Sequence, residues 1–277
     1  MTTTDLPEII DGSGQIRRKG SLIKPEGFVS TFATYKGTQP VLEDSDIKRI
    51  ITDPNRIPSR VTFDKTWLID QKSCGSCNGH AEANALARQR VRRGLAKILL
   101  SGPYAYSLMN GGRDNGSALE DGLKMVSLKG ICRADLLQWN MIYPSLFPKG
   151  VDYDSEAAKH KGLIAYSLIG KSPAETRQNL RSALACGFDC IVAVNADNKF
   201  LKVNSTGVAG VDYGNGDHSV CIDDLRIVNG TEYFDMPNTW GGSYAIDGRA
   251  YLVWDHLSQT CLYHEFYAIG STEEAGE

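Results

Sequence analysis

The sequence lacks the features that mark a membrane span, a nucleic-acid partner or a secreted scaffold. No apolar run reaches the roughly 18 residues that a helical span requires, so none is expected. Basic residues are not in excess. Lys and Arg number 30 against 33 Asp and Glu, a formal net charge of −3. That balance provides no cationic field for a nucleic acid, and no such partner is expected. Cysteine is sparse and odd in number, 7 in 277 residues. This argues against a disulfide framework and for a reducing compartment. The opening stretch Met1 to Leu6 has neither a basic region nor an apolar core, so no secretory signal is expected. The expected location is cytoplasmic, or within an assembled virion. Sequons at Asn115, Asn204 and Asn229 are then chance matches. There is no internal repeat and no low-complexity tract.

Metal and nucleotide chemistry also lack their signatures. Cys74 and Cys77 form a single Cys-x-x-Cys pair with no second pair to complete a zinc site. His160, His256 and His264 have no clustered partners. Asn110-Gly111-Gly112 lacks both a P-loop lysine and the Rossmann spacing. Neither metal nor cofactor is expected. The densest basic cluster, Arg88-Gln89-Arg90-Val91-Arg92-Arg93, falls at the end of a predicted helix, where cations complement the dipole.

Residues 1–56 are polar and rich in turns, at Gly12-Ser13-Gly14, Lys19-Gly20 and Lys24-Pro25-Glu26-Gly27, with one short helix expected at Asp46–Ile51 before Pro54. Ile57 to Ile69 reads as extended, anchored by Val61, Phe63 and Trp67. From Cys77 to Arg93 the chain is Ala-rich and free of proline, with Gly94 as a stop. Its small residues suit a helix buried against close neighbours. A second helix is expected at about 118–129, closed by Gly130, followed by irregular chain through 165. Ser172-Pro173-Ala174-Glu175 supplies an N-cap, a first-turn proline and a capping box for a helix reaching about Ala185. Short β runs follow near 190–194, 219–222, 232–236 and 249–254. Helices come first and strands second, which reads as α+β with segregated halves.

Reactive chemistry concentrates in Gln71-Lys72-Ser73-Cys74-Gly75-Ser76-Cys77. Cys77 falls at a helix N-terminus, where unpaired N–H groups and the dipole favour thiolate. A thiolate nucleophile needs a base, and the base an orienter. His218 opens a β run, and Asn238 follows 20 residues later in Asn238-Thr239-Trp240-Gly241. Taken singly, a buried cysteine, a strand-end histidine and a turn asparagine are each ordinary structural residues.

Together they resemble the papain/cathepsin family of cysteine peptidases, whose signature surrounds the cysteine and places His and Asn far downstream. His218 lies 141 positions after Cys77, and Asn238 lies 161. Asp217-His218-Ser219-Val220 is similar to the family's histidine strand. Asn115-Gly116-Ser117 is similar to its Gly-Gly segment, and Arg249-Ala250-Tyr251-Leu252 to its closing strand. The resemblance covers about residues 57–270 and implies a two-lobed fold, with a helical lobe at about 57–165 and a β-barrel-like lobe at about 166–277. It implies Cys77 as nucleophile, His218 as its partner, Asn238 as orienter and Gln71 in the oxyanion hole. Trp240 would cover the His–Asn bond, with Gly116 and Asp217 along a bound peptide or protein substrate.

Two departures accompany it. Asn78 stands where the family carries an aromatic, so a looser helix start is expected. Cys74 has no cysteine at 110–118 to pair with. Residues 1–56 would be either a pro-segment-like inhibitory arm or an assembly tether binding other subunits. The alternatives to a peptidase are a catalytically weak or inactive structural or interaction protein on the same fold, as a component of a virion or large complex, and a cell-wall amidase.

Overall fold

The computed structural model describes residues 6–11, 13–24, 28–214, 216–261 and 265–272. Of the features expected above, Gly12, Pro25-Glu26-Gly27 and His264 lie outside these. The run of small residues forms the central helix, Cys77–Arg92, and every residue from Cys77 to Arg90 is buried. Alanine has little side-chain entropy to lose and little bulk, so neighbouring elements approach closely. Gly94, at φ +83°, turns the chain away at the helix end.

This helix leans on an antiparallel sheet of four strands, in the order Leu163–Ser167, Phe266–Ser271, Asp189–Val194 and His218–Ile222. Side chains alternate across a strand, and both faces of this sheet are covered. Cys190, Val192 and Val194 join a core with Val220, Phe234 and Trp240. Ile191 and Ala193 join the other core, with Ala81, Leu86, Tyr104 and Leu123. A second antiparallel sheet, Asp224–Val228, Thr231–Pro237 and Arg249–Leu252, completes the β-rich side. The architecture is α+β and two-lobed, and among the described residues the sheets do not close into a barrel.

Several local expectations are corrected. Ile57 to Ile69 is not extended. It holds a short helix, Ser59–Thr62, and a 3-10 turn, Lys65–Trp67, the latter capped by Asp64 accepting from the Thr66 amide at 3.0 Å. Val61 is 67% exposed and anchors nothing, whereas Phe63 and Trp67 meet edge to face at 5.0 Å. The stretch expected to be irregular contains the helix Tyr153–Ala158 and the strand Leu163–Ser167. Ser172 caps its helix by accepting from the Glu175 amide at 3.2 Å. The returning carboxylate, however, accepts from the Lys171 amide at 2.7 Å rather than from Ser172.

The basic cluster is exposed at Arg92 and Arg93 but not at its start. Arg88 is fully buried between Asp189 and Asp223, at 3.6 and 3.8 Å, because the last turns of the helix abut the sheet and need counter-charges there. Arg249 bonds Asp223 and reaches Asp235 at 3.1 Å, and Arg60 reaches Asp235 at 2.8 Å.

The N-terminal segment is integrated with the fold. Glu8–Ile10 and Ile16–Arg18 pair as a hairpin, and Tyr35 and Ile47 enter the core of the β-rich lobe. Between them, Lys19 to Leu22 runs across the junction where Cys77 sits.

Candidate active site

Cys77 is the first residue of the central helix and is entirely buried. Burial pushes its thiol up, and hydrogen bonds from the Ser219 and Gly20 backbone offset only part of this. The helix-terminus argument for a thiolate is therefore overridden here, since a thiolate loses more on desolvation than nearby dipoles return.

His218 opens the strand His218–Ile222. Its Nε2–H donates to Asn238 Oδ1 at 2.9 Å, and Oδ1 also accepts from the Thr239 amide at 2.8 Å. Nδ1 is left as the acceptor nitrogen, with no hydrogen-bond partner among the described residues. Trp240 stacks on the imidazole at 4.6 Å and 26°, and Phe200 meets it edge-on at 6.1 Å. In this dry setting burial pulls the imidazole down to about 4, against the opposing bond to Asn238.

Gln71 is held between the two lobes. Its amide N–H donates to Thr239 O at 2.9 Å, and its Oε1 accepts from the Thr239 hydroxyl. Its Nε2 donates to Cys74 O at 2.8 Å and to Arg18 O at 3.1 Å.

The expectation of a loose helix start at Asn78 is corrected. Asn78 is fully buried. Its Nδ2 donates to Ser117 Oγ at 2.9 Å and to the Ser117 carbonyl, and its Oδ1 accepts from the Ser219 hydroxyl. A polar clamp takes the place of an aromatic ring. It ties the helix start to the strand of His218 and to the loop after Gly116.

The described part of the N-terminal arm lies over these groups. Gly20 O accepts from the Ser117 amide at 2.8 Å, and the Leu22 amide donates to Ser117 O at 2.9 Å. The Ser21 amide donates to Asp217 O at 3.1 Å. Gly20 passes so close that an added Cβ would stand 1.9 Å from Gly75 O. Gly116, at φ +77°, faces the arm with room for no side chain, since an added Cβ would stand 2.4 Å from Gly20 O. Arg17, buried, pairs with Asp70 and with Asp11 at 2.7 Å and donates to Trp240 O at 3.0 Å. Lys19 pairs with Asp197 and Asp217, each at 2.7 Å.

All seven residues singled out in the sequence thus gather at one junction: Gln71, Cys77, Gly116, Asp217, His218, Asn238 and Trp240. Ser219, Ser117 and Asp114, to which the sequence assigns no role, join them. Asp114 accepts from the Gly75 amide at 2.9 Å and from Tyr106 Oη at 3.0 Å. Each has a polar neighbour already singled out, but nothing local indicates where its own side chain goes. Arg17 and Lys19 likewise lie in a segment that the sequence marks only as polar and turn-rich.

The model of the papain family of cysteine proteases matches residues 62–268, and so takes in Gln71, Cys77, His218 and Asn238. The chain belongs to this family. A papain-family chain is a cysteine-type peptidase, acting on peptides or proteins. No curated protein sequence matches this family member significantly. Among solved structures it is similar to xylellain, a cysteine protease from Xylella fastidiosa, with a TM-score of 0.67 at 20% identity over 93% of this chain and 98% of that one. It is also similar to the proform of Amb a 11, a cysteine protease and ragweed pollen allergen, with a TM-score of 0.60 at 17% identity over 86% and 73% of the two chains. Digestive procathepsin L 3 of Tenebrio molitor follows at 0.57 and 15% identity, over 96% and 83%. At these identities the likeness is one of fold. No helix among the described residues is long and apolar enough to cross a membrane.

Proposed function

We propose that this papain-family protease cleaves peptide bonds through a Cys77 acyl-enzyme and that the described chain is its latent form. The observation that carries this reading is the His218–Asn238 bond at 2.9 Å. It occupies Nε2 and leaves Nδ1 to take the thiol proton, next to Ser219, whose backbone touches Cys77. The thiolate attacks the scissile carbonyl carbon. The developing oxyanion is received by Gln71 Nε2 and the Cys77 amide, which together act as preorganised donors. The imidazolium returns its proton to the leaving amine, and the acyl-enzyme forms. Water, deprotonated by His218, then attacks the thioester and releases the acid. Trp240, stacked over the imidazole, keeps water from the His218–Asn238 bond. Gly116 and Asp217 border the substrate backbone.

The arm makes this form latent. It takes the Gln71 Nε2 donor for Arg18 O and covers the thiol at Gly20, so hydrolysis requires it to leave. Within residues 1–56, the stretch at 16–24 acts in this reading as the inhibitory part, while Tyr35 and Ile47 stay in the core of the enzyme.

The test compares casein hydrolysis by the full chain, by Gly20→Ala, which lifts the arm, and by Gly20→Ala with Cys77→Ala. Iodoacetamide labelling at pH 5.5 accompanies it. The expected result is hydrolysis by the arm-lifted chain alone and labelling of Cys77 well ahead of the exposed Cys186. Labelling of Cys77 no faster than Cys186 in the arm-lifted chain rejects the assignment.

A further inference from the structure

The slot that the arm fills has two walls. Gly20 lies against both Gly75 and Gly116, and a Cβ added at Gly20 would stand 1.9 Å from Gly75 O. Gly75 leads into the central helix, and Gly116 belongs to a loop. Between Ser107 and Leu119 the chain forms neither helix nor strand. Gly111, Gly112 and Gly116 have positive φ there, at +60°, +77° and +77°, conformations that other residues rarely adopt. Cys74, beside Gly75, is a free thiol, and residues 110–118 offer no cysteine to join it. The spacing of the walls therefore depends on hydrogen bonds.

One carboxylate ties the walls together. The Gly75 amide donates to Asp114 Oδ1 at 2.9 Å. Tyr106 Oη donates to the same oxygen at 3.0 Å and accepts from the Gly116 amide at 2.8 Å. Every donor in this run is matched, as buried polar groups require. Burial, then the charge of Asp114, pushes the Tyr106 phenol up, so the hydroxyl keeps the proton it donates. The loop is already fastened at both ends, by Asn110 Nδ2 on Ile142 O at 2.7 Å and by Asn78 Nδ2 on Ser117 Oγ at 2.9 Å. The Asp114–Tyr106 run acts between these anchors, beside the slot itself. The arm adds only Arg18, on the other oxygen, Oδ2, at 3.2 Å. No member of the run belongs to the arm, so the walls keep their separation once the arm has left.

We propose that Asp114, acting through Tyr106 and the Gly75 amide, is a positioning residue for substrate: it sets the distance between the Gly75 and Gly116 walls, so that the backbone of a bound peptide seats where Gly20 lies in the latent chain. The proposal rests on the peptidase reading above and adds to it a residue that bonds neither the thiol nor the imidazole.

The test uses the full chain carrying Gly20→Ala, with fluorescein-labelled casein as substrate. Adding Asp114→Ala is expected to raise KM about tenfold, as loss of a charged hydrogen-bond partner does. It is expected to leave kcat and the rate of Cys77 alkylation by iodoacetamide within about twofold, the pattern of lost ground-state binding. Asp114→Asn keeps an acceptor oxygen for both donors and is expected to restore KM. Tyr106→Phe keeps the ring and breaks the run. Its KM is expected to rise about threefold or more, and it decides the matter if Asp114→Ala does not fold. An unmoved KM in the folded variants, a rise that asparagine does not reverse, or an equal change in alkylation overturns the proposal and leaves the peptidase reading standing. If the arm-lifted chain cleaves no casein, the peptidase reading fails, and the arm becomes the probe of the slot. In the natural chain carrying Arg18→Ala, where the arm no longer holds Asp114, Asp114→Ala is expected to speed Cys77 alkylation about tenfold and Asp114→Asn to leave it within about twofold. Equal rates for the two overturn it.

Discussion

Ser219 donates its hydroxyl to the side-chain carbonyl of Asn78 across 141 positions of sequence. This contact joins the helix that begins at Cys77 to the strand that begins at His218, one residue from each. Asn78→Ala removes both ends of the clamp and leaves the Ser219 and Ser117 hydroxyls without it, while the Ser117 carbonyl keeps only the Leu22 amide. The expected loss is about 1–3 kcal/mol of stability, read by urea unfolding. Ser219→Ala added to it is expected to cost little more, because the two act as one unit. Full additivity would mean that the clamp does not couple the lobes.

Arg17 latches the arm from a fully buried guanidinium to Asp70 and the Trp240 carbonyl, with Asp11 holding it from within the arm. Arg17→Ala leaves Asp70 and the Trp240 carbonyl without it, so the arm should loosen while the two cores stay intact. Cys77 alkylation is expected to rise about 10- to 100-fold, measured by mass spectrometry at fixed reagent. An unchanged rate alongside unchanged circular dichroism counts against the latch.

Arg88 carries a structural charge. Asp189 and Asp223 face it at 3.6 and 3.8 Å in a fully buried setting, and burial already pushes Asp189 up while Arg88 pulls it down. Arg88→Met is expected to destabilise by about 3–5 kcal/mol, with the loss growing as pH rises and the stranded acids must ionise. A loss under about 1 kcal/mol would class the cluster with surface pairs.

Stability should depend on pH in two opposed ways. Burial holds His218 and His80 at about 4, below the ordinary 6.5. The unfolded chain takes up those protons first, so stability falls as pH drops from 6.5 toward 4. Glu265 is raised by burial from 4.5 to about 8. The folded chain keeps that proton while the unfolded chain has lost it, so stability falls as pH rises from 4.5 to 8. Glu265→Gln removes the second slope. Its Tm is expected to gain on the natural sequence steadily between those pH values, and a constant difference would contradict the assignment.

Much of the fold could be read from the sequence wherever the cause is local. Alanine content and Gly94 delimit the central helix. Ser172 and Pro173 start another, and apolar runs mark the strands near 190 and 220. Expectations failed where packing overrode local signals. Val61, Phe63 and Trp67 look like one apolar ladder in the sequence, yet Val61 ends up in solvent while the two rings meet edge to face. Arg88 looks like a helix-end cation until a sheet carrying two aspartates closes on it.

The sequence by itself determined the candidate cast: Gln71, Cys77, His218, Asn238 and Trp240, in an order and with neighbours that resemble the papain family's. Side-chain identity and chain order suffice for that. Only the tertiary structure decided the state of this cast. Whether Cys77 holds its proton, what replaces an aromatic ring at Asn78, and where residues 16–24 lie all depend on dielectric and on contacts between segments far apart in the chain. Such effects come from proximity in space, and a turn-rich stretch of sequence carries no mark of the cleft it will cover.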